Sequence, residues 1–133
     1  SYSVTGVQTC ALPIFQANGK WVMFLKNETK NPPEKNIRIS TADKPEGPWS
    51  PASEAITGKY WAEGPTAVKI GAWWHLYFDK YTEGKYGVLR SKDLKQWEDI
   101  SSQLRYPKGL RHGTVFAVEP EILKTLLANE NTQ

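Results

Sequence analysis

The chain has 133 residues with 17 basic and 14 acidic side chains, a net charge of +3 and the two signs interspersed. Such a mild balance offers no basic face for nucleic acid and no cationic cluster for an anionic membrane, and no apolar run approaches the ~20 residues that span a bilayer. A single cysteine, Cys10, excludes an internal disulfide and a cysteine-based zinc site.

Taken in order, Ser1 to Ile14 carries no charge and no clear period. Val4–Ile14 resembles the translation of a sequencing-library adapter. Residues 1–14 are therefore set aside as a non-native segment, and residues 15–133 are read as the domain, lacking its true N-terminus. The alternative is an ordinary strand of odd composition. Phe15 to Lys26 ends in a strand with Trp21, Met23 and Leu25 on one face and Val22 and Phe24 on the other. Asn27 to Lys35 is a polar loop, Asn36 to Thr41 a strand with Ile37 and Ile39 inward, and Asp43 to Pro51 a turn region rich in Pro and Gly.

Thr66 to Ile70 is a short strand that follows Pro65, and Gly71-Ala72 turns the chain. Trp73 to Lys80 is the strongest strand: Trp74, Leu76 and Phe78 face one way, and Trp73, His75, Tyr77 and Asp79 the other. Glu83-Gly84-Lys85 reads as a hairpin turn, Tyr86 to Ser91 as a third strand and Gln96 to Ile100 as an outer fourth. Gly113 to Val118 reads as a further strand that starts another unit or closes the ring. Pro120 suits a first helical position, with a short C-terminal helix over Glu121 to Ala128.

This order contains one module twice. Trp21 to Lys26, Ile37 to Asp43 and Trp49 recur as Trp74 to Asp79, Val88 to Asp93 and Trp97, with offsets of 53 for the leading Trp pair, 50 for the Asp pair and 48 for the closing Trp pair. A repeat of about 50 residues made of short strands is the spacing of β-propeller blades. The expected fold is all-β: about two blades plus a closing strand of a propeller, with a short C-terminal helix. Two blades cannot close a ring, so an exposed blade face is expected.

Two polar residues stand at matching places in this repeat. Glu63 precedes Gly64-Pro65 and an apolar strand, and His112 precedes Gly113, 49 residues later. Gly allows the backbone to pass close to a ligand, and Pro fixes the start of the strand. Taken singly, each would be an ordinary surface residue; at matching blade offsets they converge on one axis. Trp21, Trp49, Trp74 and Trp97 sit at repeat positions and suit packing between blades. Trp61 and Trp73 lie off the repeat, close to Glu63 in sequence, and are the candidates for stacking on a sugar ring. Asp43 and Asp93 occupy turns, where capping is expected. No phosphate-binding Gly-rich loop, zinc-binding His pair or nucleophile elbow is present.

From about Lys20 to Val118 the chain resembles the C-terminal part of glycoside hydrolase family 43. The segments that carry this are Ile37–Asp43 with Gly47-Pro48-Trp49-Ser50, Glu63-Gly64-Pro65-Thr66 with Trp73 to Tyr81, Leu89–Leu94 with Trp97, and Arg111-His112-Gly113. The resemblance implies a five-bladed β-propeller of the arabinosidase or xylosidase kind, acting on plant-type polysaccharides or oligosaccharides with inversion. In that scheme a general acid protonates the leaving oxygen, and a general base about 6.5–9.5 Å away activates water. It places Glu63 as the general acid, with a pKa raised by burial and a neighbouring carboxylate. Arg111, His112, Trp61 and Trp73 become substrate-binding candidates, and His112 helps hold a metal ion through water. It implies no obligatory cofactor, allows a structural calcium, and makes carbohydrate the partner rather than nucleic acid or membrane. Secretion or a periplasmic location follows from the family setting, although no residue here indicates it. The base and the pKa-adjusting aspartate of the family have no position in this chain, which is expected to be inactive without them. Two other readings are a non-catalytic carbohydrate-binding propeller and a protein-interaction propeller. The second is disfavoured because Trp97-Glu98 stands where Trp-Asp would, and no Gly-His dipeptide occurs.

Overall fold

A computed structural model describes residues 13–130. Ser1–Leu12, most of the adapter-like segment, lie outside the described residues. The architecture is all-β with one C-terminal helix, as expected, and its strands form three antiparallel sheets.

The first sheet has the order β1-β2-β5, from β1 (Ile14–Ala17), β2 (Lys20–Lys26) and β5 (Ile37–Ala42). Asn18 and Gly19 join β1 to β2 with φ of 53° and 74°, a two-residue turn whose twist matches that of the flanking strands. Where one strand is expected at the end of Phe15 to Lys26, the Asn-Gly pair makes a hairpin of two. Residues 27–36, expected as a loop, hold a small ribbon of β3 (Thr29–Lys30) and β4 (Pro33–Glu34).

Among the described residues no fourth strand flanks β5. Residues 50–57 instead run along its free edge, where the N–H groups of Ser50, Ser53 and Ile56 donate to the carbonyls of Thr41, Ile39 and Ile37 at 2.8–2.9 Å. In return the hydroxyls of Ser50, Ser53 and Thr57 accept from the N–H groups of Thr41, Ile39 and Ile37. Side-chain oxygens therefore close an edge that would otherwise leave backbone donors unpaired.

The second sheet is a meander, β6-β7-β8-β9, formed by β6 (Glu63–Ile70), β7 (Trp73–Lys80), β8 (Lys85–Ser91) and β9 (Glu98–Asp99). The core lies between the two larger sheets. Val22, Phe24, Ile37 and Ile39 from the first meet Leu76, Phe78 and Leu89 from the second, with Ala62 between them. Trp74 stacks on Phe15 at 4.4 Å, and Trp97 meets Phe24 edge-on at 5.8 Å. These two repeat tryptophans thus pack between the sheets. Gly87 lies under the Phe78 ring, where a Cβ would come within 2.6 Å of ring carbons.

Residues 113–118 form no strand. His112 departs at φ +41°, and the backbone tie from this stretch to β6 runs from Val115 N–H to the Thr66 hydroxyl, a side chain rather than a ladder partner. The helix α1 (Pro120–Glu130) begins at the expected proline. Among the described residues no helix is long and apolar enough to cross a membrane.

Candidate functional site

Glu63 is the first residue of β6 and pairs with Asp79 near the end of β7. The next paired residues are Thr66 and Tyr77, so Gly64-Pro65 oppose the single residue Phe78. This is a bulge, a device that re-aims a side chain at the end of a ladder. Gly64 adopts φ +58°, and a Cβ there would lie 2.8 Å from His112 Nδ1. The glycine thus provides both the backbone turn and the space that the imidazole fills.

A compact group of charges forms around this bulge. His112 Nε2 lies 3.1 Å from Glu63 Oε1, and Lys26 Nζ from β2 donates to Glu63 Oε2 at 2.8 Å. Lys26 also pairs with Glu28 Oε1 at 2.7 Å, and Glu28 in turn pairs with Lys35. Arg111 Nε donates to Asp79 Oδ2 at 2.7 Å, and its Nη2 reaches to 3.9 Å from Glu63 Oε1. Asp79 is fully buried, while the side chains of Arg111 and His112 are 54% and 48% exposed. Two half-exposed donors therefore face solvent above two more protected carboxylates.

Burial opposes ionisation of Glu63, but the hydrogen bond and charge of Lys26, with a further contribution from His112, outweigh it and hold the carboxyl below its ordinary range. The expectation of a raised pKa is corrected here. Its cause is a cation from the other sheet that no local reading of Glu63 could supply. Burial also works against the Lys26 ammonium, which Glu28 and Glu63 nonetheless raise above its usual value.

The sequence-predicted residues divide by position. Glu63, Arg111 and His112 come together. Trp61 joins them at the margin: it is 38% exposed and packs against Tyr81 at 5.9 Å, and the Tyr81 ring lies 5.1 Å from Lys26 Nζ. Trp73 does not join them, which corrects its expected nearness to Glu63. It begins β7 opposite Ile70 at the far end of the hairpin, roughly 20 Å of strand from Asp79. There it lies between Arg90 and Lys92, at 4.4 and 4.6 Å. Asp93 does cap its turn, accepting from the N–H groups of Lys95 and Gln96 at 2.9 Å. Asp43 pairs with Lys20 at 2.6 Å. A depression of about 430 Å³ lined by residues including Ile39, Ser53, Ile56 and Leu94 contains none of the candidate residues.

Sequence alone gives no role to Lys26 and none of the family's acid-base roles to Asp79. The available signal was the repeat itself, because they occupy the same position in its two copies, 53 residues apart.

Glu63, Asp79 and His112 offer ligand atoms that all lie within 4.8 Å of one another. As arranged they do not suit a resident calcium ion. Arg111 holds one oxygen of Asp79, and Lys26 pairs with Glu63. A divalent ion would sit against a guanidinium and an ammonium, with few oxygen ligands at hand, whereas calcium seeks six to eight.

Neither the curated proteins nor the solved structures contain a significant match to this chain. The family model described as "probable glycosyl hydrolase domain", related to glycoside hydrolase family 43, matches residues 1–122, and the chain belongs to that family.

Proposed function

We propose that this chain is part of a glycoside hydrolase that cleaves plant-type polysaccharides or oligosaccharides in the manner of arabinofuranosidases and xylosidases, with inversion and with Glu63 as the general acid. The two larger sheets then correspond to two blades of a five-bladed propeller. The observation that carries this reading is the Glu63 bulge: a carboxylate aimed out of the end of a strand, with His112 and Arg111 above it, in a chain of a glycosyl hydrolase family.

Arg111, His112 and Trp61 are the groups that would hold the sugar, the first two by hydrogen bonds to hydroxyls and the indole by stacking. Trp73 is omitted because of its position. The general base comes from outside this chain. Asp79 is unsuited to that role, since it is fully buried and its carboxylate lies within 4.8 Å of Glu63, closer than an inverting pair with water between them. No step is assigned to a metal ion.

Glu63 needs a proton to act as an acid. In the sugar-free arrangement Lys26 keeps it ionised. A glycosidic oxygen that takes the place of the Lys26 ammonium would leave burial as the main influence, and burial favours the protonated form. The test is Glu63→Gln in the complete enzyme: turnover is lost and oligosaccharide binding retained.

The ionised state of Glu63 favours a second reading, a non-catalytic carbohydrate-binding site in which both carboxylates accept hydrogen bonds. In that case the complete protein binds oligosaccharide without hydrolysing it.

A further inference from the structure

We propose that Asp79 is a positioning residue, its buried carboxylate anchoring Arg111 and thereby setting Arg111 and His112 over Glu63. For the sugar it serves, this inference rests on the function proposed above.

Asp79 lies in a largely apolar strand, next to the buried Phe78. Carboxylates are rarely buried without full pairing. Here Oδ2 receives Arg111 Nε at 2.7 Å, with His112 Nε2 at 3.8 Å, while Oδ1 has no hydrogen-bond partner among the described residues. Replacing a buried ion pair by apolar residues is often neutral or stabilising, so stability alone is a weak reason for this arrangement.

The stretch that carries Arg111 and His112 explains the carboxylate better. Residues 104–119 form neither strand nor helix, and His112 holds a left-handed φ of +41° that a non-glycine residue adopts at a cost. Past His112 the stretch is tied down, by Tyr86 Oη donating to the Gly113 carbonyl and by Val115 N–H donating to the Thr66 hydroxyl. At Arg111 and His112 themselves, the ion pairs to the sheet among the described residues are those with Asp79 and Glu63, with the imidazole also seated over Gly64. Asp79 is the more deeply buried of the two and so the firmer anchor. The repeat supports the assignment, because Lys26 at the equivalent position also reaches Glu63. One copy acts on Glu63 directly through a cation, the other through an anion that places Arg111.

The experiment is nitrogen-15 NMR of the whole chain, comparing the Arg111 Nε–H and His112 ring signals in the native sequence, in Asp79→Asn and in Arg111→Ala. The expected result is about a tenfold faster exchange of the Arg111 Nε–H with water in Asp79→Asn, the scale set by losing a hydrogen bond to a charged group. The His112 ring signals should move together in both variants, and strand amides away from the site should stay in place. Unchanged Arg111 and His112 signals in Asp79→Asn overturn the proposal. If that variant fails to fold, Arg111→Ala decides: His112 signals that stay in place contradict the anchoring. Titration with a xylo- or arabino-oligosaccharide separates the two readings. Weaker binding in both variants supports the full proposal. Absence of binding by the native chain counts against the sugar site, while the NMR result still decides whether Asp79 anchors Arg111.

Discussion

Lys26 and Glu63, which come from different sheets, meet at 2.8 Å and join the end of β2 to the start of β6. The pair fixes the protonation state of the candidate acid and draws the two sheets together at the site. It also passes charge on to Glu28 and Lys35, so that four side chains form one network.

Replacing Lys26 by Met removes the main influence that keeps Glu63 ionised. The Glu63 carboxyl pKa is expected to rise, because burial is then opposed by His112 and the more distant Arg111 alone. A pH titration of the Glu63 side-chain carbon by NMR measures this; a value that stays put or falls contradicts the assigned role of Lys26.

Stability should depend on pH in a direction these pairs determine. Glu63 and Glu28 are held below their unfolded values, so their contribution is present above the ordinary Glu range of about 4.3 and is lost as pH falls through the folded values. Lys26 is raised, so its contribution is complete below about 10.4 and is lost as pH rises through its folded value. A plot of thermal midpoint against pH should be flat through neutrality and fall at both ends. A midpoint that rises on acidification below pH ~4 would contradict the ion pairs.

Gly64→Ala places a methyl group 2.8 Å from His112 Nδ1 on a backbone at φ +58°. The left-handed conformation alone costs about 1–2 kcal/mol, and the ring must also move from Glu63. Denaturant unfolding should show the loss, and the His112 ring signals should shift.

Gly87→Ala tests the core. The new Cβ would come within 2.6 Å of two ring carbons of the fully buried Phe78. Overpacking of this kind costs about 1–3 kcal/mol, measurable as a lower denaturant midpoint with an unchanged slope.

Strand β7 could be read from the sequence because Trp74, Leu76 and Phe78 recur at every second position and Gly71 marks the turn before it. Glu63 and His112 could be read because a Gly follows each at a matching repeat offset. Asp79 could not, since its partner Arg111 lies 32 residues away on a stretch without regular structure. Trp73 misled because nearness in sequence across a hairpin places a residue at the far end of the strand pair. Thr114 to Val118 has the β-branched and aromatic content of a strand, but the backbone leaves His112 in a conformation that carries it away from a ladder. The protonation of Glu63 was misjudged for a similar reason: burial can be inferred locally, whereas the ammonium that opposes it arrives from another sheet.

The most direct test compares Glu63→Gln with the native residue in the complete enzyme, on two substrates that differ in leaving group. General acid assistance is typically worth about 10²–10⁴-fold and matters most when the leaving group is poor. A large loss of kcat on an oligosaccharide, with a much smaller loss on an aryl glycoside whose phenolate leaves unaided, is the predicted result. Equal turnover by the two proteins on the oligosaccharide would contradict the role of Glu63 as proton donor.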